Sequence, residues 1–167
     1  MSTSPIEVKP VTPPDVPAIS ALAREIWQAT YPGLISQEQI DFMLELRYGV
    51  ERLYDDIEQL DKWLDQAIYE GRRVGFCAYE IREKEFYLDK LYIHPDVQRR
   101  GVGGAMINHA TDKARKMGYQ RAILDVDKRN TQAINSYKKY GFEVLDTQKS
   151  DVGAGLSMTG FLMAKPL

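Results

Sequence analysis

A basic, glycine-rich segment between a strand pattern and a helix pattern constrains this chain more than any other feature. Residues 98–104 read Gln-Arg-Arg-Gly-Val-Gly-Gly. The glycines let a ligand approach the backbone closely, and the unpaired N–H groups at the start of a helix carry a partial positive charge. Because Arg99 and Arg100 add two full charges beside them, the segment predicts a site for phosphate or pyrophosphate.

Four interpretations of this loop compete. A Walker loop would end in Gly-Lys-Ser/Thr, whereas Gly104 is followed here by Ala105 and Met106. A dinucleotide fingerprint would need glycine or alanine where Met106 stands. The pattern Gln/Arg-x-x-Gly-x-Gly/Ala fits residues 98–103 in full. A plain strand-to-helix turn would explain the glycines by close packing alone.

The composition predicts one soluble, cytoplasmic domain that covers residues 1–167. The 22 Lys and Arg nearly balance the 24 Asp and Glu, and no basic patch is dense enough to predict a nucleic-acid partner. No apolar run reaches the ~18–20 residues of a membrane span, and the N-terminus lacks a signal-peptide pattern. The single cysteine, Cys77, has no histidine nearby in sequence, so we expect a buried, inert thiol. Monomer and homodimer both stay open.

Hydrophobic periodicity and turn residues predict a chain of alternating strands and helices. The predicted strands are residues 6–11, 62–69, 73–81, 85–94, 121–126, 142–146 and 161–164, and the predicted helices are 15–30, 36–48, 50–60, 103–117 and 130–140. Asp15, Ser36 and Asn130 are predicted N-caps, Ser36 in a capping box with Gln39. Residues 151–160 read as a loop. The strand, loop, helix and strand from 85 to 126 predict one βαβ unit and hence a parallel strand pair.

The alternation of apolar residues shifts by one position within the strand at 85–94. Leu88 stands on one phase, whereas Leu91 and Ile93 stand on the other. A β-bulge near Asp89 and Lys90 explains such a shift. It would separate this strand from its neighbour and leave backbone groups free for an extended ligand. The alternative is that both residues are exposed on an edge strand.

Two signatures in this chain resemble the GCN5-related N-acetyltransferase (GNAT) family. Residues 98–103 resemble its acyl-CoA pyrophosphate loop, and Leu91-x-Ile93-x-Pro95 resembles the strand and turn before it. The second signature is Asn130-x-x-Ala133, then Tyr137-x-x-x-Gly141-Phe142. The resemblance implies an α/β (α+β) GNAT fold: a central mixed, mostly antiparallel twisted sheet of about seven strands, flanked by four or so helices, with a splayed parallel strand pair at the CoA site.

The resemblance also implies a reaction and a set of site residues. Acetyl-CoA would be the cosubstrate, without a metal, and its acetyl group would pass directly to a primary amine of a small molecule or a peptide N-terminus. The implied cofactor-binding residues are Leu91, Tyr92, Ile93, Gln98, Arg99, Arg100, Gly101, Val102, Gly103, Gly104, Asn130 and Tyr137. The Ile93 N–H would hold the thioester oxygen, and Tyr137 would be the catalytic acid that protonates the leaving sulfur.

Several alternatives remain beside these roles. Asn130 could be a helix cap only, Tyr137 could be a core tyrosine, and His94 could be a base, although its place in a turn argues against this. A non-catalytic acetyl-CoA sensor is the alternative function. The acceptor, and the use of acyl groups other than acetyl, stay open.

The general base and the acceptor wall are the least determined parts of the predicted site. Many members of the resembling family carry a Glu where this chain has Tyr87, so Asp89, Glu80 or a water relay would remove the proton. An acidic segment is either a solvated face or a wall that attracts cationic acceptors. It contains Asp55, Asp56, Glu58, Asp61 and Asp65.

Overall fold

A computed structural model describes residues 5–153 and 156–167 of the protein. The strands are β1 (Ile6–Pro10), β2 (Lys62–Tyr69), β3 (Arg72–Arg82), β4 (Glu85–Ile93), β5 (Arg121–Asp127), β6 (Glu143–Gly153) and β7 (Leu156–Pro166). The helices of the described part are α1 (Val16–Thr30), α2 (Gln37–Tyr48), α3 (Val50–Glu58), α4 (Val102–Lys116) and α5 (Thr131–Lys139). None of these helices is both long and apolar enough to cross a membrane.

The strands form one mixed sheet in the order β1-β2-β3-β4-β5-β7-β6. Among the described strands, β4 and β5 are parallel and the other neighbours are antiparallel. Short turns suit the antiparallel pairs: Glu83 and Lys84 join β3 to β4 with φ of 50° and 67°, the type I′ geometry of a two-residue hairpin. The predicted parallel pair and mostly antiparallel sheet are confirmed.

The sheet separates two apolar cores. Helices α4 and α5 cover one face, where their buried residues meet the inward side chains of the strands; these include Met106, Ile107, Ala110, Ile134, Phe86, Leu88, Leu124 and Val126. Helices α1, α2 and α3 cover the other face with Ile19, Ile26, Trp27, Met43, Leu44 and Leu53. Any site that opens between two strands can therefore be reached from two differently built faces.

Two predictions about local structure are wrong: the loop at residues 151–160 and the helix cap at Asp15. Residues 151–160 are not a loop in the described part, because β6 and β7 continue through it and Gly153 pairs with Leu156. Gly160 reads as a loop residue but lies in β7, where a Cβ would collide with the carbonyl of Val126. Glycine here serves close backbone approach within a sheet.

Asp15 occupies the N-cap position of α1 without capping it. Its carboxylate instead accepts hydrogen bonds from the Thr12 N–H at 2.9 Å, from Gln66 Nε2 at 2.9 Å and from Arg73 at 3.1 Å. The bonds from Thr12 and Gln66 lower the pKa of Asp15 to about 2. The residue thus ties the start of α1 to β2 and β3. The capping box of Ser36 and Gln39 is confirmed.

Candidate active site

The parallel pair separates almost at once. Its ladder joins only residues 86–88 to residues 122–124. Beyond Leu88, β4 contains one extra residue: Leu88 pairs with Tyr79 and Lys90 pairs with Ala78, which leaves Asp89 as the bulge. The predicted β-bulge is confirmed. We call the gap that opens between residues 89–93 of β4 and residues 125–127 of β5 the seam.

A cavity of about 1170 Å³ occupies the seam and reaches both faces of the sheet. On the α1–α2 side its wall includes Trp27, Tyr31 and Met43, and on the other side it includes Val102 and Tyr137. Ligand cavities commonly measure about 300–1,000 Å³. The seam is therefore large enough for two ligands that approach from opposite faces.

Backbone groups of β4 point into the seam. The His94 N–H donates to the Val74 carbonyl at 2.7 Å, towards β3. Successive N–H groups of a strand point to opposite neighbours, so the Ile93 N–H points away from β3 and into the gap. The side chains of Leu91 and Ile93 pack against the α4-side core, whereas the Tyr92 ring contacts the α1–α3 side through Trp27 at 5.9 Å.

The start of α4 forms the second part of the site. Gly101 is the N-cap with φ of 85°, and the first helical bond runs from the Ala105 N–H to the Gly101 carbonyl. The N–H groups of residues 102–104 therefore have no carbonyl partner within the helix. A Cβ on Gly103 would lie 3.0 Å from Ile93 Cδ1. We call these unpaired N–H groups, with the glycine backbone around them, the bare helix start. Its position beside β4 fits a pyrophosphate group.

The predicted cofactor residues do not all lie on the cavity. Those that line it are Leu91, Tyr92, Ile93, Gln98, Arg99, Gly101, Val102, Gly103, Asn130 and Tyr137. Within the described chain, Arg100 and Gly104 are not part of that lining. Gly104 has a packing role, since a Cβ there would lie 2.8 Å from the ring of Tyr140. Gln98 is held by the Gln132 side chain, whose Nε2 donates to Gln98 Oε1 at 2.6 Å.

Asn130 and Tyr137 place the start and middle of α5 on the cavity. Asn130 Oδ1 accepts from the Ala133 N–H at 3.1 Å, so its cap role is confirmed, and Asn130 is also one of the residues that line the cavity. The Tyr137 ring packs edge-on against Phe142 at 5.7 Å. Burial raises the pKa of Tyr137 above its ordinary value, so the phenol stays protonated at neutral pH and can act as a donor.

The two carboxylates proposed as bases are already bound by cations. Burial would raise the pKa of Asp89, but Arg47, Lys90 and Arg82 outweigh it and lower that pKa. Asp89 Oδ1 lies 2.6 Å from Arg47, and Glu80 lies 2.8 Å from Arg82. His94 is bound elsewhere: its Nδ1 accepts from the Asp96 N–H at 3.2 Å. Asp89 and Glu80 are therefore held in ion pairs, and His94 is not among the described residues that line the cavity.

Asp125 is a cavity residue that the sequence analysis did not single out. The hydroxyl of Tyr87 donates to Asp125 Oδ2 at 2.5 Å. Burial, followed by this bond and the negative charge of Asp125, raises the pKa of Tyr87. The other oxygen, Asp125 Oδ1, is buried without a hydrogen-bond partner. The one signal in the sequence is an acidic residue inside the apolar strand Ala-Ile-Leu-Asp-Val of residues 122–126.

A match to a family model decides what kind of protein this is. The model described as Acetyltransferase (GNAT) family matches residues 21–142, more than half of the chain. The chain belongs to the GNAT family. It is therefore an N-acetyltransferase, and acetyl-CoA is its cosubstrate.

Relatives of this acetyltransferase differ in what they act on. A spermidine N(1)-acetyltransferase of Thermoplasma acidophilum is 29% identical over 150 residues, which cover 87% of this chain and 93% of the relative. N-alpha-acetyltransferase 50 of Danio rerio is 24% identical over 150 residues, covering 87% and 79%. The crystal structure of a PaiA N-acetyltransferase from Thermoplasma acidophilum in complex with coenzyme A superposes with a TM-score of 0.84 at 27% identity, over 100% of both chains.

The acidic segment does not form the acceptor wall of this acetyltransferase. None of its five carboxylates is among the described residues that line the cavity. Asp56 lies 3.3 Å from Lys62 and 3.6 Å from Lys90, and Asp65 is buried and accepts from the Tyr79 hydroxyl at 2.5 Å. The wall on that side instead contains cations: Arg47, Arg52, Lys62, Arg82 and Lys90. Of the two alternatives, the carboxylate-lined wall is therefore not formed: Asp55, Glu58 and Asp61 are exposed to solvent, and Asp65 is buried within β2.

Proposed function

We propose that this acetyltransferase moves the acetyl group of acetyl-CoA to a primary amine of a small molecule or a peptide N-terminus by direct attack in a ternary complex. One observation carries the proposal: the seam joins a bare helix start on one face of the sheet to a separate cavity wall on the other, and the Ile93 N–H points between them. Acetyl-CoA and the amine could therefore enter from opposite faces of the sheet and meet at β4.

The chain's own groups supply three functions. The N–H groups of Val102 and Gly103, together with Arg99, would bind the pyrophosphate. The Ile93 N–H would donate a hydrogen bond to the thioester oxygen, where negative charge develops as the amine attacks. Tyr137 would give its proton to the sulfur as the carbon–sulfur bond breaks. The nitrogen attacks as the neutral amine, forms the new carbon–nitrogen bond and passes its extra proton to water, from which Tyr137 regains its own proton.

Cys77 gives no support to an acyl-enzyme route. Its thiol is buried, and burial raises its pKa well above the ordinary value. A thiolate is the reactive form of cysteine, so a thiol of β3 that stays protonated in the apolar core is a poor nucleophile. Direct transfer to the amine needs no such group.

The relatives support a small polyamine or a peptide N-terminus as acceptor. The test is a free-thiol assay with acetyl-CoA and a panel that contains spermidine, simple alkylamines and short peptides. We expect CoA release well above hydrolysis with at least one amine, together with an acetylated product by mass spectrometry. If acetyl-CoA stabilises the protein but no amine is acetylated, the protein binds acetyl-CoA without turnover and the proposal is wrong.

A further inference from the structure

We infer that Asp125, with the Tyr87 hydroxyl beside it, binds the protonated amine of a primary alkylamine acceptor. The inference rests on the proposed function for its meaning in catalysis, but the binding site itself stands on the geometry of the seam. It assigns the acceptor end of the cavity to one carboxylate on β5.

The carboxylates that line the cavity differ in whether a cationic side chain pairs with them. The other carboxylates of its lining each have a cationic partner: Glu80 with Arg82 at 2.8 Å, Asp89 with Arg47 at 2.6 Å, and Asp127 with Arg129 at 2.8 Å. Among the described residues, no Lys, Arg or His lies within 4.0 Å of the Asp125 carboxylate. Asp125 is thus the acidic group of this wall whose counter-ion the described chain does not supply.

One oxygen of the Asp125 carboxylate lacks a hydrogen-bond donor. Native proteins pair nearly all buried polar atoms, and an exception calls for an explanation. Asp125 Oδ2 has the Tyr87 hydroxyl, but Oδ1 is buried without a donor. Because Asp125 lines the cavity, a small rotation of its carboxylate would bring this oxygen to a ligand that donates hydrogen bonds and carries a positive charge.

The strand register places Asp125 inside the seam, on the side of the sheet that α1–α3 cover. Leu124 ends the ladder with β4, so Asp125 is the first residue of β5 within the seam. Leu124 and Val126 point into the core beneath α4, and alternation therefore turns Asp125 to the α1–α3 side. The bare start of α4 and Tyr137 belong to the opposite side. Asp125 is consequently placed on the face left for the acceptor.

The chemistry of this part of the cavity favours an alkylammonium ligand. An alkylammonium group carries three donors and one compact charge, which suits an acceptor-only carboxylate. The nearby wall offers Ile26, Trp27 and Met43 for an apolar chain. Arg47 and Arg82 also line this side, so a second positive charge on the acceptor gains less than the first. Hexylamine is therefore a suitable probe, and hexanol is its uncharged counterpart.

The test measures binding and turnover separately. Hexylamine and hexanol are titrated by calorimetry into the protein saturated with CoA, using wild type, Asp125→Asn and the control Asp55→Asn. Asp55 is an exposed carboxylate outside the described cavity lining, so its substitution makes the same change in net charge. If the asparagine variant does not fold, Asp125→Ser replaces it, since serine retains a hydroxyl that can pair with Tyr87.

We expect wild type and Asp55→Asn to bind hexylamine at least 10-fold more tightly than hexanol, and Asp125→Asn to lose most of that difference. CoA should raise the melting temperature of all three equally, and Asp125→Asn without ligand should melt no lower than wild type, because it loses an unpaired charge. With an accepted amine substrate, Asp125→Asn should raise KM by a larger factor than it lowers kcat.

Equal hexylamine affinity in Asp125→Asn and wild type, or no preference for hexylamine over hexanol in wild type, overturns the inference. If hexylamine binds through Asp125 but wild type acetylates no amine, the site stands and the proposed function fails.

Discussion

Replacement of Asp89 by asparagine should destabilise the protein more than the loss of an ordinary surface carboxylate. Asp89 is the bulge residue of β4, and its side chain is only 12% exposed. It lies 2.6 Å from Arg47, 3.3 Å from Lys90 and 3.7 Å from Arg82. The variant leaves these cations without their shared anion, and the side chain of Lys90 is itself only 3% exposed.

The size of the effect follows from burial. Removing one partner of a buried ion pair costs roughly 3–5 kcal/mol, and we take about 3 kcal/mol because Arg47 is 27% exposed. For a chain of this size each kcal/mol lowers the melting temperature by about 2–4 °C, so we expect a decrease of about 6–12 °C. The matched control is Asp112→Asn, whose pair with Arg115 is 63% and 47% exposed; it should cost about 0–1 kcal/mol.

Calorimetric melting curves from pH 7 to pH 3 test this reasoning. The folded state lowers the pKa of Asp89, so the stabilisation from this group is present above its ordinary pKa of about 3.9 and is lost as pH falls through the lower, folded-state value. The difference between wild type and Asp89→Asn should therefore be full at neutral pH and shrink in acid. A decrease at pH 7 no larger than that of Asp112→Asn would refute the buried-cluster account.

Three further predictions concern the site. Tyr137→Phe should lower kcat by 10-fold or more in steady-state kinetics, as loss of a general acid does, with acetyl-CoA affinity little changed; unchanged turnover would make Tyr137 a core residue only. Gly103→Glu should abolish the rise in melting temperature with acetyl-CoA, because its side chain would enter the bare helix start against Ile93; full stabilisation would exclude this loop from the CoA site. Asp55 and Glu58 lie outside the described cavity lining, so neutralising both should leave the KM for a cationic acceptor unchanged, and a raised KM would restore an attracting role for the acidic segment.

The sequence by itself determined the features that depend on local geometry. The period of apolar residues placed the helices, a phase shift within one strand favoured a bulge near Asp89 and Lys90, and the order of strand, loop, helix and strand required the parallel pair. The bare start of α4 was also predictable, because glycine at the head of an apolar stripe is a local signal. The helices, the bulge and the helix start are set by neighbours within a few residues along the chain, and the parallel pair is set by the order of consecutive elements.

Only the tertiary structure decided which groups meet in the seam. Tyr87 and Asp125 bond across two strands and 38 positions of sequence, and Asp89 is neutralised by Arg47 from a helix 42 positions away. The sequence shows the acidic segment but not that its carboxylates turn away from the cavity. Which side chains pair, which side of the sheet they face and how deeply they are buried all depend on where the strands separate and which helices cover them. They are long-range properties, and no local pattern of residues encodes them.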